Sequence, residues 1–188
     1  MPRLFVAVDL PPEAKRAAAS LCQGLPGVRW LPADQLHLTL RFIGEVNEPL
    51  FAAIRDGLLV SGLSPMVCRL QGVGRFPPSG RPRVLWVGVH SEGDGLLQLA
   101  TLVEERLRLF GLAPEGRQFR PHVTLARLKD ISAALVTPYL QVNERFLGEP
   151  FTVQEFHLYQ SLLTAPGAIH NLACSYPLDH PACSKKII

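Results

Sequence analysis

Two short stretches of this sequence could do acid–base chemistry. His37-Leu38-Thr39-Leu40 and His122-Val123-Thr124-Leu125 repeat one pattern, His-apolar-Thr-apolar, 85 residues apart. Each copy lies in a segment that reads as a β-strand. Side chains alternate between the faces of a strand, so His37 and Thr39 share one face while Leu38 and Leu40 take the other. The same alternation sets His122 and Thr124 against Val123 and Leu125. Two such units in 188 residues read as an internal duplication. Halves packed about a pseudo-twofold axis would bring two imidazoles and two hydroxyls into one cleft.

An imidazole has an ordinary pKa near ~6.5, so one ring can accept a proton while another donates one. Paired general acid–base catalysis of this kind is typically worth about 10²–10⁴-fold per group. Two threonine hydroxyls can hold the non-bridging oxygens of a phosphate without adding charge, and an arginine stabilises charge building on phosphorus. Other chemistries are poorly served. No Asp or Glu adjoins either motif at ligand spacing, so no metal site or other cofactor is expected. There is no GxSxG elbow, no GxxxxGK[ST] loop and no GxGxxG.

The elements that must position these residues alternate between strands and helices. Strands are expected at Leu4–Val8, in the second half of Trp30–Ile43, and at Met66–Val73, Val84–Val89, Arg120–Leu128, Phe151–Leu162 and Ile169–Tyr176. Ala165-Pro166-Gly167 is the expected turn before the last strand. Apolar residues at helical spacing predict helices after Pro11-Pro12 up to Gly24, over Glu48–Val60, over Gly95–Phe110 and, weakened by Pro138, over Ser132–Val142. The loop Gly74–Arg83 holds turn-forming residues with Arg75, Arg81, Arg83 and the aromatic Phe76. His90, His157, His170 and His180 lack a matching threonine and read as surface or structural residues.

Composition bounds the rest. Apolar residues make up 47% and charged residues 19%, which describes a globular chain. A net charge of +3 does not mark a protein that coats nucleic acid non-specifically. Cys22, Cys68, Cys174 and Cys183 form no CxxC pair and read as inert, reduced thiols. The apolar run Leu4–Val8 is too short for a secretory signal, and nothing approaches a membrane span. A cytoplasmic protein is expected, with a monomer as the default and no membrane partner. Residues 1–176 read as a single bilobal domain and residues 177–188 as a C-terminal tail.

The motif pair resembles the 2H phosphoesterase superfamily. The segments Leu36–Val46 and Pro121–Arg127 are similar to the two signature segments of the RNA 2′,3′-cyclic phosphodiesterases, first described as 2′–5′ RNA ligases. Arg3–Asp9 and Trp86–Val89 are similar as well. The resemblance implies an α+β, bilobal duplicated fold, with two pseudo-symmetric mixed or antiparallel sheets flanked by helices around a central cleft. It implies metal-free hydrolysis of a 2′,3′-cyclic phosphate at an RNA 3′ end to a 2′-phosphomonoester. His37 would be the proton donor and His122 the proton acceptor. Thr39, Thr124 and Arg127 would bind the phosphate. The substrate partner would be RNA with a cyclic phosphate end, tRNA fragments among the candidates, and reversal would give 2′–5′ ligation.

Strand parity objects to Arg127, because an odd offset from His122 should face away unless the strand ends, bends or bulges. Arg41 has the right parity and is the backup, and Phe42 is expected to pack in the core. Two other readings keep part of the pattern. One is a cyclic phosphodiesterase for small nucleotides, and the other is a non-catalytic RNA- or nucleotide-binding module.

Overall fold

The structure is a computed structural model that describes residues 1–164 and 167–178. Its backbone is an eight-stranded antiparallel sheet in the order β6-β3-β4-β5-β2-β1-β7-β8. The strands are β1 (Arg3–Asp9), β2 (His37–Glu45), β3 (Met66–Phe76), β4 (Val84–Ser91), β5 (His122–Arg127), β6 (Phe151–Val153), β7 (Glu155–Thr164) and β8 (Gly167–Pro177). The helices are α1 (Pro12–Ser20), α2 (Glu48–Gly57), α3 (Gly95–Leu109) and α4 (Ala133–Asn143).

The sheet is two four-stranded halves joined edge to edge. β2, β1, β7 and β8 form one half, and β5, β4, β3 and β6 form the other. Leu38 opposite Val123 is the pair that joins them. The α+β duplicated fold is therefore present, with its two sheets continuous through the centre.

One sheet face is covered by helices and holds the core. Leu38, Leu40, Val87, Val123 and Leu125 point into it and are buried. Two helices reach across between the halves. α1 follows β1 yet packs beneath β3 and β5, while α3 follows β4 yet lies beneath β2 as well as β4. Tyr139 of α4 donates to the Leu21 carbonyl just after α1, and Tyr176 of β8 donates to the Arg55 carbonyl in α2. Asn47 and Ser132 cap α2 and α4 by accepting from the Leu50 and Leu135 amides.

The expected elements form, with several differences; among them α2 ends at Gly57 short of Val60, and β3 runs past Val73 to Phe76. α1 stops at Ser20, where Leu21 closes it, rather than running to Gly24. The expected strand Phe151–Leu162 divides at Gln154, because Val153 pairs with Met66 in one half while Glu155 pairs with Pro177 in the other. β8 extends through Pro177, and Leu178 is buried with its amide donating to the Gln154 carbonyl. Ala165, Pro166, His180, Cys183 and the expected tail from residue 179 lie outside the described residues. Among the described residues no helix is long and apolar enough to cross a membrane.

Candidate active site

The Leu38–Val123 pair fixes the geometry of the site. Both side chains are buried on the helix side of the sheet. Extending that antiparallel register by one residue each way sets His37 across from Thr124, and Thr39 across from His122. All four then share the open face, and all are half-buried. Side chains directly opposite in such a pair have Cβ atoms about 4.5–5.5 Å apart, and diagonal neighbours about 7–8 Å. The imidazoles thus occupy one diagonal of a square and the hydroxyls the other. A phosphate between them can be touched by all four.

Each imidazole is held in the same way from its own backbone. His122 Nδ1 donates to the Arg120 carbonyl at 2.6 Å, two residues upstream. His37 bonds to the Gln35 backbone, also two residues upstream. With Nδ1 committed as donor, Nε2 of His122 is left to exchange protons with a ligand. The walls differ. Phe5 stacks on His37 with ring centroids 5.0 Å apart, and His170 meets His37 edge-on at 5.5 Å. Phe76 meets His122 edge-on at 5.0 Å, and Trp86 lies beyond at 6.2 Å.

These walls lower both proton affinities. Burial pushes the His37 imidazole down to about 4, and the nearby His170 adds to the effect against the pull of the Gln35 carbonyl and Asp9. Burial also lowers His122, opposed by the Arg120 carbonyl. The cause in both cases is that the low-dielectric wall penalises the charged ring.

The objection from parity is answered by a bulge in β5. Ala126 pairs with Leu85 and Thr124 with Trp86, so β5 carries one residue more than β4 there. The phase shifts, Leu125 and Ala126 are both buried, and Arg127 falls opposite Val84. Val84, Trp86 and Gly88 alternate along one face of β4, so their partners Arg127, Thr124 and His122 share that face. Arg127 is exposed. Among the described residues neither its guanidinium nor the Thr39 and Thr124 hydroxyls bond to another group of the chain.

β2 carries a matching irregularity, and it corrects two expectations. Ala7 pairs with Thr39 but Val6 pairs with Arg41, which turns Arg41 to the helix side. There its guanidinium bonds Glu104 at 2.8 Å, Glu115 at 3.1 Å and the Ala113 carbonyl at 2.6 Å. Arg41 is therefore a structural ion pair and no substitute for Arg127. Phe42 pairs with Phe5 on the site face and is 55% exposed, so it does not pack in the core.

Of the loop residues, Phe76 belongs to β3 and lies against His122 and Trp86. Arg81 is engaged by Asp130 at 2.6 Å, and Arg75 donates to the Gly80 carbonyl. His157 is buried and structural, its Nδ1 2.9 Å from Ser175 Oγ. His170 is the exception among the dismissed histidines, because it reaches the site. Asp9, across from His37, accepts from Tyr159 Oη at 2.8 Å. The alternation of β1 could have placed Phe5 and Asp9 on the His37 face; His170 and Tyr159 left no local signal. Burial raises the Cys22 thiol to about 11 and Cys68 to about 12, which keeps both protonated near neutrality.

Comparison with known proteins finds relatives over most of the chain. The 2′-5′ RNA ligase superfamily pattern matches residues 4–164. An RNA 2′,3′-cyclic phosphodiesterase of Archaeoglobus fulgidus is 35% identical over 171 residues, which is 89% of this chain and 96% of that protein. One from Aeropyrum pernix is 38% identical over 149 residues, 78% of this chain and 84% of that protein. The crystal structure of Escherichia coli LigT complexed with 3′-AMP superposes with a TM-score of 0.77 and 26% identity, covering 96% of this chain and 100% of LigT. In fold and in sequence, the chain belongs to the 2′-5′ RNA ligase superfamily, within the family of RNA 2′,3′-cyclic phosphodiesterases.

Proposed function

We propose that this protein hydrolyses the 2′,3′-cyclic phosphate at an RNA 3′ end to a 2′-phosphomonoester, by acid–base catalysis between His122 and His37. The observation that supports it most is the central register, which sets two imidazoles and two hydroxyls on one face of two adjacent strands. Thr39 and Thr124 donate to the non-bridging oxygens, and Arg127 balances the charge that builds on them. His122 Nε2 takes a proton from water as the water oxygen bonds to phosphorus. The bond from phosphorus to the 3′ oxygen breaks on the opposite side, and His37 supplies that oxygen with a proton.

The low proton affinity of His37 fits the donor role once substrate is bound. An anionic phosphate between the rings favours the charged imidazole, and an imidazole of low basicity gives its proton up readily. The same geometry also suits a 5′-hydroxyl in the place of water. A 5′-hydroxyl RNA attacking the cyclic phosphate would give a 2′–5′ linkage. We read residues 1–176 as one catalytic unit acting as a cytoplasmic monomer on RNA ends, tRNA fragments among them. Neither step calls on a metal, since the imidazoles supply both acid and base.

The test is RNA ending in a 2′,3′-cyclic phosphate, assayed beside cyclic mononucleotides, with the product phosphate located. A 2′-phosphate on RNA is the expected product. Turnover of mononucleotides alone would replace the RNA reading with the small-nucleotide one. A 3′-phosphate product would overturn the leaving-group assignment.

A further inference from the structure

The β7–β8 hairpin brings a third imidazole to the first motif. The His170 ring stands perpendicular to the His37 ring, at 89° and 5.5 Å between centroids, and both rings lie against Phe5. His170 Nδ1 is buried and, among the described residues, has no hydrogen-bond partner. A charged His170 would carry an N–H there with nothing to accept it, which disfavours the charged ring. Burial lowers its proton affinity accordingly, against the pull of Asp34.

The hairpin is tied to the segment that carries His37. Gln35 Nε2 donates to the Ala168 carbonyl at 3.1 Å, two residues before His170. The backbone of the same Gln35 bonds the His37 ring. One residue thus fixes both partners of the imidazole pair. The second motif has no such arrangement, because Phe76 and Trp86 fill the equivalent space beside His122.

We propose that His170, latched through Gln35, is a positioning residue that sets the orientation and proton affinity of His37 and so gives the two motif histidines unlike roles. The inference rests on the acid–base reading of the site. His37 is faced by Asp9 from β1, by Lys15 from α1, by His170 from β8 and, across the centre, by His122 from β5. Tyr159 of β7 is bound to Asp9, and Asp34 faces His170. Among these groups His170 alone combines ring contact with charge repulsion and shielding from water.

The test is an NMR titration of the His37 ring in the free, full-length protein, as wild type, His170→Phe, His170→Ala and Gln35→Ala. His170→Phe keeps the packing and removes the repulsion, so the His37 midpoint rises slightly. His170→Ala also admits water, so the midpoint rises further, by roughly one pH unit or more. Gln35→Ala releases the latch and moves it in the same direction. The acid limb of kcat/KM should follow the titration while His122 stays in place. An unchanged His37 midpoint in both His170 variants, with well-dispersed spectra, overturns the proposal. Because the titration needs no substrate, its outcome stands apart from the assay of cyclic phosphate cleavage, whose failure in the wild type would strike the acid–base reading instead.

Discussion

Phe42 and Arg127 occupy matching places, each five residues beyond its motif histidine, and each is carried onto the site face by an irregularity in its strand. The duplicated halves therefore present the same backbone with opposite chemistry: an exposed ring on one side and a free guanidinium on the other.

Arg127→Ala should lower kcat/KM on cyclic phosphate RNA ends by about 10²–10³-fold, the usual loss when one donor to a developing oxyanion is removed. Arg41→Ala should do the reverse. It should leave turnover near wild type and cost roughly 1–3 kcal/mol in chemical denaturation, because it strands Glu104 and Glu115. Similar activity losses in both variants would contradict the shift of phase in the two strands.

His37→Ala and His122→Ala should each reduce turnover by about 10²–10⁴-fold. Neither ring belongs to the buried core, so circular dichroism and the melting midpoint should stay close to wild type. Wild-type rates in either variant would rule out paired acid–base catalysis.

The pH profile of kcat/KM should be a bell whose centre lies below 6.5. Both imidazoles are shifted downward by burial, His37 to about 4, and kcat/KM reports the free enzyme. The same shift makes stability depend on pH. In the window between about 4 and 6.5 the unfolded chain binds more protons at His37 than the folded one. Stability from this group is therefore complete above the unfolded value and falls as the solution is acidified through the window. Denaturation midpoints that rise on acidification there would reverse the sign.

Gly74→Ala should impair the second motif without touching it. A methyl group at Gly74 would come within 2.1 Å of the Trp86 ring, and Trp86 lies beside His122. Overpacking of this kind usually costs about 1–3 kcal/mol. Loss of activity should exceed what the loss of folded protein explains, as read by rates normalised to active-site titre.

The strands that carry both motifs and the long helix α3 were legible in the sequence because they follow from local alternation and helical spacing, and the facing of His37 and His122 because the motif is duplicated. The fate of Arg41 and Phe42 was not. Alternation counted from His37 puts Arg41 on the site, and only the pairing of β2 with β1 reveals the extra residue that exchanges the two. Arg127 escaped the same error because its resemblance to a family position outweighed its parity. His170 was dismissed for want of a threonine partner, yet its role comes from the path of the β7–β8 hairpin, fixed by a hydrogen bond between residues 133 positions apart. The division at Gln154 was hidden for a related reason: the residues on both sides suit a strand, and only their partners differ.

The reach of α1 and α3 across the halves bears on how this protein can come apart. α1 of one half lies beneath β3 and β5 of the other, and α3 of that other half lies partly beneath β2. Severed between α2 and β3, the polypeptide would yield one fragment whose β1 and β2 have lost β7, β8 and the α3 helix beneath β2, and another whose β3 and β5 have lost α1. Reassembly of such fragments would restore the shelter of the core and the meeting of the two imidazoles in the same event.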